Sequence, residues 1–213
     1  MPAYSLQNRP FSTHEHILRF VGRGKRVLEI GCAGGYLAEL LTAQGCTVTG
    51  IEIDPRAASQ ARRFCNEVIV GDAETLQLKF REKFDVIVLA DVLEHLRDPA
   101  RLLRRLTAAL KPGGYLVISV PNVANWTVRV LLLLGRFDYE DRGILDRTHR
   151  WFYTLRSFEG LVSGAGYHIA ELEINSPIPT ARRLWPIRWL AHSIGMLRKQ
   201  FFAYQFIAVA RKA

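Results

Sequence analysis

A short apolar run followed by a glycine-dense turn, at residues 26–36, constrains the fold of this chain more than any other feature. The run contains Val27, Leu28 and Ile30, and branched apolar residues in so short a run are typical of a buried strand. Glycines crowd the positions from 31 to 35, and leucines then recur at helical spacing. A strand, a glycine turn and a helix in that order present backbone N–H groups to a nucleotide-like ligand at the carboxyl end of the first strand of an open α/β sheet.

The glycine turn departs from the dinucleotide-binding pattern, and these departures narrow the range of ligands that it could bind. That pattern, G-x-G-x-x-G, would place glycines at 31, 33 and 36, whereas this chain has Gly31, Ala33 and Tyr36. Glu29 lies two residues before Gly31, and a carboxylate there would repel a pyrophosphate but would suit a ligand that carries an ammonium and a sulfonium. The turn therefore favours S-adenosylmethionine over NAD.

Strand-like and helix-like segments continue to alternate as far as residue 121. Runs rich in β-branched and apolar residues predict four more strands, at residues 46–53, 67–70, 84–89 and 115–120. A leucine stripe over residues 99–110 predicts a helix, and the Lys-Pro-Gly-Gly at 111–114 is a strong stop signal. Strands that alternate with helices this regularly predict a parallel sheet of βαβ units.

The alternation breaks after residue 122. One helix and two strands are still expected, at residues 155–163, 167–174 and 202–210. The final pair of strands suits an antiparallel edge on the parallel sheet. Residues 123–153 and 177–201 are interpreted as substrate-side insertions. With 213 residues and no convincing boundary, residues 1–213 are predicted to form one domain whose cofactor-binding core spans residues 26–122.

Positive charge is concentrated in the second half of the chain. The net charge of +9 divides into −1 for residues 1–100 and +10 for residues 101–213. This asymmetry predicts an anionic partner, which is a membrane surface, a nucleic acid or an anionic substrate, while a merely solvated basic face is the alternative. Uncharged runs of about ten residues near the C-terminus are too short for a membrane span, which needs ~20. An interfacial segment at residues 181–201, rich in Trp and Arg, is one interpretation; the equal alternative is that these aromatic residues cap the core or line the substrate mouth.

The cysteines and the N-terminus bear on the compartment. Cys32, Cys46 and Cys65 form no C-x-x-C motif, which predicts a reduced cytoplasmic setting without disulfides or a metal site. The first residues lack a basic and then apolar leader, so no secretory signal is expected.

Four motifs fall in order at predicted strand ends, at residues 27–35, 50–54, 71–74 and 84–99. In this combination the chain resembles the class I S-adenosylmethionine-dependent methyltransferases over roughly residues 25–122. Residues 121–122 and 146–153 look like those of a subgroup of small methyltransferases, similar to ubiquinone-pathway and glycan O-methyltransferases. The resemblance implies an α/β, Rossmann-like, doubly wound sheet of seven strands. The sheet would be mostly parallel, with an antiparallel last strand inserted beside the fifth.

The resemblance also implies a cofactor site. Glu29 and the turn would approach the methionine part, Glu52 would hold the ribose hydroxyls, and Asp72 would flank the adenine. Glu52 lies 21 residues after Gly31, about where an acid reaches a ribose in nucleotide-binding α/β units. The ten predicted cofactor-binding residues are Glu29, Gly31, Cys32, Ala33, Gly35, Glu52, Ile53, Asp72, Ala73 and Ala90.

Two histidines are the predicted catalytic residues. A sulfonium methyl group is already activated, so the protein mainly aligns the nucleophile and removes its proton. A hydroxyl nucleophile benefits from a base, and histidine changes charge nearest to neutral pH. His95 follows the fourth strand, and His149 lies in the insertion expected to roof the site. The alternatives are that His95 is a hydrogen-bonded structural residue and that Asp146 and Arg147, the neighbours of His149, are structural pins for the loop.

The chain is therefore expected to be an S-adenosylmethionine-dependent O-methyltransferase. Its acceptor would be a small-molecule, sugar or lipid-linked hydroxyl, and it would be cytoplasmic, with a peripheral contact at the inner membrane face as a further expectation. An RNA methyltransferase is one alternative, but residues 90–93 lack the Asn/Asp-Pro-Pro-Tyr-type clamp for a flipped base amine, so nucleic acid is disfavoured. A non-catalytic cofactor-binding protein is another alternative, although Glu29, Glu52 and the turn are intact. An NAD-dependent oxidoreductase has the least support.

Overall fold

The computed structural model describes residues 12–175 and 198–213, whose seven strands form one sheet. In chain order the strands are β1 (Arg26–Ile30), β2 (Thr47–Glu52), β3 (Glu67–Val70), β4 (Phe84–Ala90), β5 (Leu110–Pro121), β6 (Tyr167–Asn175) and β7 (Gln205–Lys212). The helices of the described residues are α1 (Thr13–Val21), α2 (Tyr36–Ala43), α3 (Pro55–Ala61), α4 (Pro99–Leu106), α5 (Trp126–Leu133), α6 (Leu155–Gly164) and α7 (Lys199–Phe202).

The strand order in the sheet is β3-β2-β1-β4-β5-β7-β6. The first five strands pair in parallel, and β7 lies antiparallel between β5 and β6. This order confirms the expected doubly wound sheet with an antiparallel last strand beside the fifth. The order reverses between β1 and β4, and ligands of open α/β sheets bind at the carboxyl ends of the strands at such a switch point.

The core lies on both faces of the two central strands. Along β4, Val86 and Val88 point to the side of α1 and α2, while Ile87 and Leu89 point to the side of α4 and α6. All four side chains are fully buried, as expected for a parallel strand covered by helices on both faces. This packing fixes the carboxyl ends of β1 and β4, from which the site is built.

Two helices near the site begin where the sequence encodes a cap. The Ser12 hydroxyl accepts a hydrogen bond from the Glu15 amide at 3.2 Å, and α1 ends at Gly22 with φ +76°. Asp54 caps α3 in the same way, and Pro55 occupies the first helical position. These bounds agree with the signals in the sequence.

Two predicted bounds are wrong. The Lys-Pro-Gly-Gly segment at 111–114 lies within β5, because Leu110 already pairs with Phe84 and the register then shifts at a bulge. The last strand begins at Gln205 instead of residue 202, because Phe202 ends the short helix α7. Most of the predicted insertion at 177–201, and most of the basic segment at 181–201, lie outside the described residues.

Candidate active site

A cavity of about 390 Å³ opens at the carboxyl ends of β1 to β4. Six of the predicted site residues line it, namely Gly31, Glu52, Ile53, Asp72, Ala73 and His95. The cavity is bounded on the other side by residues that follow β4 and by Arg150 from the segment between α5 and α6. The structure therefore brings together the ends of four strands and part of the predicted insertion.

The glycine turn has the tight geometry that its composition suggests. Gly31 and Gly35 adopt φ values of +72° and +83°, a region that favours glycine. A side chain at Gly35 would also lie 2.8 Å from the Cα of Ala61 in α3, so the turn and α3 pack too closely for any larger residue. Ala33 has φ +45°, so the position at which the chain departs from the glycine pattern is itself in the left-handed region.

Backbone N–H groups hold the Glu52 carboxylate at the edge of the cavity. One oxygen accepts from the Ala33 amide at 2.8 Å, and the other accepts from the Asp54 amide at 2.9 Å. Each carboxylate oxygen has a second lone pair, so Glu52 retains the capacity to accept hydrogen bonds from a vicinal diol. Ala33 thus contacts Glu52, a link between β1 and β2 that sequence spacing does not reveal.

Five predicted cofactor-binding residues are not among the lining of this cavity: Glu29, Cys32, Ala33, Gly35 and Ala90. Glu29 is buried at 3% exposure, and one of its carboxylate oxygens has no hydrogen-bond partner among the described residues. Burial, followed by the neighbouring Cys65 and Glu52, raises the pKa of Glu29 well above its ordinary value. The role of the five residues outside the cavity lining in cofactor binding stays a prediction.

Sequence reasoning missed several lining residues. They are Gly71, Glu74, Asp91, Val92, Leu96, Arg97 and Arg150, together with the apolar Ile30 and Ile51. Gly71 and Glu74 belong to a motif already recognised, so their position at a strand end was an available signal. Arg150 had no such signal, because it reaches the cavity through tertiary contacts: its amide donates to the Glu94 carbonyl at 2.7 Å, as the Trp151 amide does at 3.1 Å.

The two predicted catalytic histidines lie against each other. The ring centroids of His95 and His149 are 4.8 Å apart with an edge-to-face arrangement. His149 Nδ1 lies 3.1 Å from the Ile144 carbonyl, so it carries the proton and donates it. Thr148 Oγ1 donates to Asp146 at 2.6 Å and therefore accepts from His95 Nδ1 at 3.2 Å. In the neutral form of either ring, these partners place the proton on Nδ1 and leave Nε2 as the acceptor nitrogen.

Glu94 lies beside this histidine pair. Its side chain is fully buried, and neither carboxylate oxygen has a hydrogen-bond partner among the described residues. Burial, with the charge of Asp91 as a second cause, raises the pKa of Glu94 well above its ordinary value. Burial and His95 lower the pKa of His149. A buried carboxyl group without partners is rare in folded proteins, which makes Glu94 a candidate functional group.

The donor atoms of Glu94, His95 and His149 all lie within 4.8 Å of one another. We call these three residues the Glu-His-His cluster. A carboxylate oxygen and two imidazole nitrogens suit a divalent transition-metal cation, and they equally suit a hydroxyl group or a water molecule. The sequence analysis expected no metal, and the cluster supplies the donors for one.

No helix of residues 12–175 and 198–213 has the length and apolar character needed to cross a membrane.

Comparisons with known proteins give a consistent family. A family model described as a methyltransferase domain matches residues 6–172. A ubiquinone biosynthesis O-methyltransferase from Pseudomonas putida is 34% identical over 161 residues, which cover 73% of this chain and 67% of that protein. A protein of the same name from Azorhizobium caulinodans is 33% identical over 160 residues, covering 70% of this chain and 61% of that protein.

Solved structures share the fold. An S-adenosylmethionine-dependent methyltransferase from Thermotoga maritima superposes with a TM-score of 0.67 at 20% identity, covering 95% of this chain and 89% of that one. Magnesium protoporphyrin IX methyltransferase from Synechocystis, with bound S-adenosylhomocysteine, gives 0.64 at 16% identity, covering 94% and 82%. At these identities the likeness concerns the fold alone.

Proposed function

This chain belongs to the methyltransferase-domain family and is an S-adenosylmethionine-dependent methyltransferase, and from that premise we propose that it methylates a hydroxyl group of a small apolar acceptor. The observation that carries the proposal is the position of the Glu-His-His cluster next to the cofactor cavity, with His95 belonging to both. The relatives named ubiquinone biosynthesis O-methyltransferase support a hydroxyl as the methyl acceptor.

The cofactor would lie along the cavity from β3 to β1. In this arrangement Glu52 accepts hydrogen bonds from the ribose hydroxyls, while Asp72 and Ala73 flank the adenine. Gly31 shapes the turn that would face the methionine part, because its φ of +72° favours glycine and a side chain there would meet Val92 at 3.0 Å. The sulfonium would then lie towards His95, at the β4 end of the cavity.

The reaction is a direct displacement. When bound, S-adenosylmethionine would supply a methyl group activated by its sulfonium, which the acceptor oxygen would displace with S-adenosylhomocysteine as the leaving group. The acceptor proton passes to His149 Nε2, which is unprotonated because Nδ1 donates to the Ile144 carbonyl. Glu94 and His95 position the hydroxyl between the cavity and His149.

An aromatic wall beside His149 supports an apolar acceptor. The ring of Phe152 lies 6.0 Å from the His149 ring and 5.5 Å from the Phe137 ring, and Tyr139 is 5.7 Å from Phe137. Aromatic rings in such arrangements offer apolar faces and edges to a flat or isoprenoid ligand. This wall belongs to the segment that the sequence analysis assigned to substrate binding.

A second candidate role for the cluster is to hold a divalent cation, because Glu94 is buried without partners. Glu94, His95 and His149 would then be the protein ligands. A cation there would lower the pKa of a bound hydroxyl, which supplies the same activation of the acceptor.

The proposal is tested with methyl-labelled S-adenosylmethionine and a cell extract, followed by partition between organic and aqueous phases. The expected result is label in the organic phase, in a methoxy group of an apolar product. Glu52→Ala, which removes the proposed ribose contact, should abolish the labelling. Label found only in nuclease-sensitive material would contradict the proposal and favour the RNA methyltransferase alternative.

A further inference from the structure

Asp91, the first residue after β4, has an uncommon backbone conformation. Its φ of +54° makes it one of two non-glycine residues with positive φ among those described, and it lines the cofactor cavity. Asp tolerates this region better than most residues, but the conformation remains unfavourable and persists only where neighbouring contacts determine it.

Hydrogen bonds with β5 and β7 hold both the backbone amide and the side-chain carboxylate of Asp91. Its amide donates to Ser119 on β5, to the carbonyl at 3.2 Å and to Oγ at 3.1 Å. The Ser119 hydroxyl donates to one carboxylate oxygen at 2.8 Å. From β7, Gln205 Nε2 lies 2.9 Å and 2.8 Å from the two carboxylate oxygens and donates to them.

The amide of Gln205 can face only one way. Its oxygen accepts from the Thr13 hydroxyl on α1, in a short contact, and from Asn175 Nδ2 on β6 at 3.4 Å. Asn175 Nδ2 also donates to Thr13 Oγ1 at 3.0 Å. Reversing the amide would turn its oxygen towards a carboxylate and its N–H groups towards these donors. The direction of hydrogen-bond donation is thus fixed: it runs from Asn175 through Thr13 and Gln205 to Asp91.

This series of hydrogen-bonded side chains ends at the loop that carries the proposed chemistry. Residues 91–95 include both Glu94 and His95, and Asp91 is the point at which the loop leaves the sheet. Gln205 lies 114 residues from Asp91 in sequence and does not line the cavity. A residue in that position acts on the reaction only through the loop.

We infer that Gln205 is a positioning residue for methyl transfer: by holding the Asp91 carboxylate, it fixes the loop at 91–95 that places His95 and Glu94 beside the acceptor. The inference rests on the proposed function. It assigns to the antiparallel last strand a role in catalysis in addition to its role in the sheet.

Gln205→Met tests the inference, because methionine keeps the length of the side chain and removes its donor and acceptor. We expect kcat to fall about 10-fold or more, since small displacements of reacting groups are costly in rate. The KM for S-adenosylmethionine should change less than kcat, because Gln205 does not line the cavity and the proposed ribose and adenine contacts at Glu52 and Asp72 stay in place. Thr13→Val, which leaves the contact between Gln205 and Asp91 in place, should lower kcat less. Lys212→Met, an exposed position on the same strand, is the matched control.

Amide hydrogen exchange provides a readout that needs no acceptor. In Gln205→Met the amides of residues 91–95 should exchange faster, while those of β5 and β6 keep their wild-type rates. Wild-type exchange in this loop, or a uniform loss of protection across the sheet, would overturn the inference. Failure of the wild-type protein to methylate any hydroxyl would instead refute the proposed function, and the exchange measurement would still decide the role of Gln205.

Discussion

His149 and His95 each engage Nδ1 in a hydrogen bond, which leaves Nε2 for the proposed chemistry. The spacing in the sequence indicated that two histidines would be near the cofactor, but it could not indicate which nitrogen would be free. That choice is made by the Ile144 carbonyl for His149 and by Thr148 for His95. The tautomers follow from these partners and define how the cluster could act.

Substitution of His149 tests whether the cluster takes part in the reaction in either of its two proposed roles. We predict that His149→Ala lowers kcat by about 10²-fold or more, the usual contribution of a positioned proton acceptor. S-adenosylhomocysteine affinity should be retained, because His149 does not line the cofactor cavity. His168→Ala, at an exposed position on β6, is the control.

Chelation then separates the base from the cation. Loss of wild-type activity on treatment with a chelator, and its recovery with a divalent cation, would assign the cluster to metal binding. Activity unchanged by chelation, together with an inactive His149→Ala, would assign His149 as the base. Full activity of His149→Ala would remove both roles.

The buried side chain of Glu29 leads to a prediction of how the stability of the protein depends on pH. Burial raises the pKa of Glu29 in the folded protein above its ordinary value of 4.5, so the folded state keeps a proton that the unfolded state has lost. The contribution of Glu29 to the free energy of unfolding is therefore fully present below about pH 4.5, and it is lost as the pH rises through the pKa that Glu29 has in the folded state. Glu29→Gln removes this contribution, so its Tm should exceed that of the wild type at pH 8, and the difference should shrink towards pH 5. Thermal unfolding across this range, with the exposed Glu39→Gln as control, measures the effect, and parallel curves for Glu29→Gln and the wild type would contradict it.

At the scale of the elements, the sequence predicted whatever depends on local pattern. The strand β3 was predicted at its observed bounds, from its run of β-branched residues. The stop signal at 111–114 was misleading, because pairing of Leu110 with Phe84 extends β5 across a proline and two glycines. Pairing with a neighbouring strand outweighed the local preference of these residues for a turn.

Contacts between distant elements account for what could not be predicted of the site. Ala33 was placed in the cofactor site because of its position in a motif, yet its amide binds Glu52 across the sheet. Arg150 lines the cavity because the segment between α5 and α6 folds back onto the loop after β4, where the Arg150 amide donates to the Glu94 carbonyl. Neither contact leaves a periodic or compositional signal, since it joins residues that are 19 or more positions apart.

At the scale of the whole molecule, three exposed leucines form an apolar surface at the C-terminal end of α5. Leu132, Leu133 and Leu134 are 50%, 86% and 69% exposed, at the end of the helix that precedes the aromatic wall. Arg129 and Arg136 flank these leucines, and exposed leucines beside arginines are typical of segments that insert into the interface of an anionic membrane. This surface supports the proposed apolar or lipid-linked acceptor, since a protein docked there would receive its substrate from the lipid phase.

Docking on lipid is tested with vesicles of phosphatidylcholine and phosphatidylglycerol. We predict that the wild-type protein sediments with these vesicles and that Leu133→Ser/Leu134→Ser weakens the partition about 10-fold or more, given the transfer free energy of a leucine side chain. Val70→Ser, on the edge strand β3, removes a comparable apolar group far from α5 and should have no effect. Added salt separates the contributions, because it should weaken an ionic contribution from the basic residues at 181–201 and leave the leucine contribution unchanged. A wild-type protein that stays in the supernatant at low salt would leave the acceptor to be a molecule delivered through water.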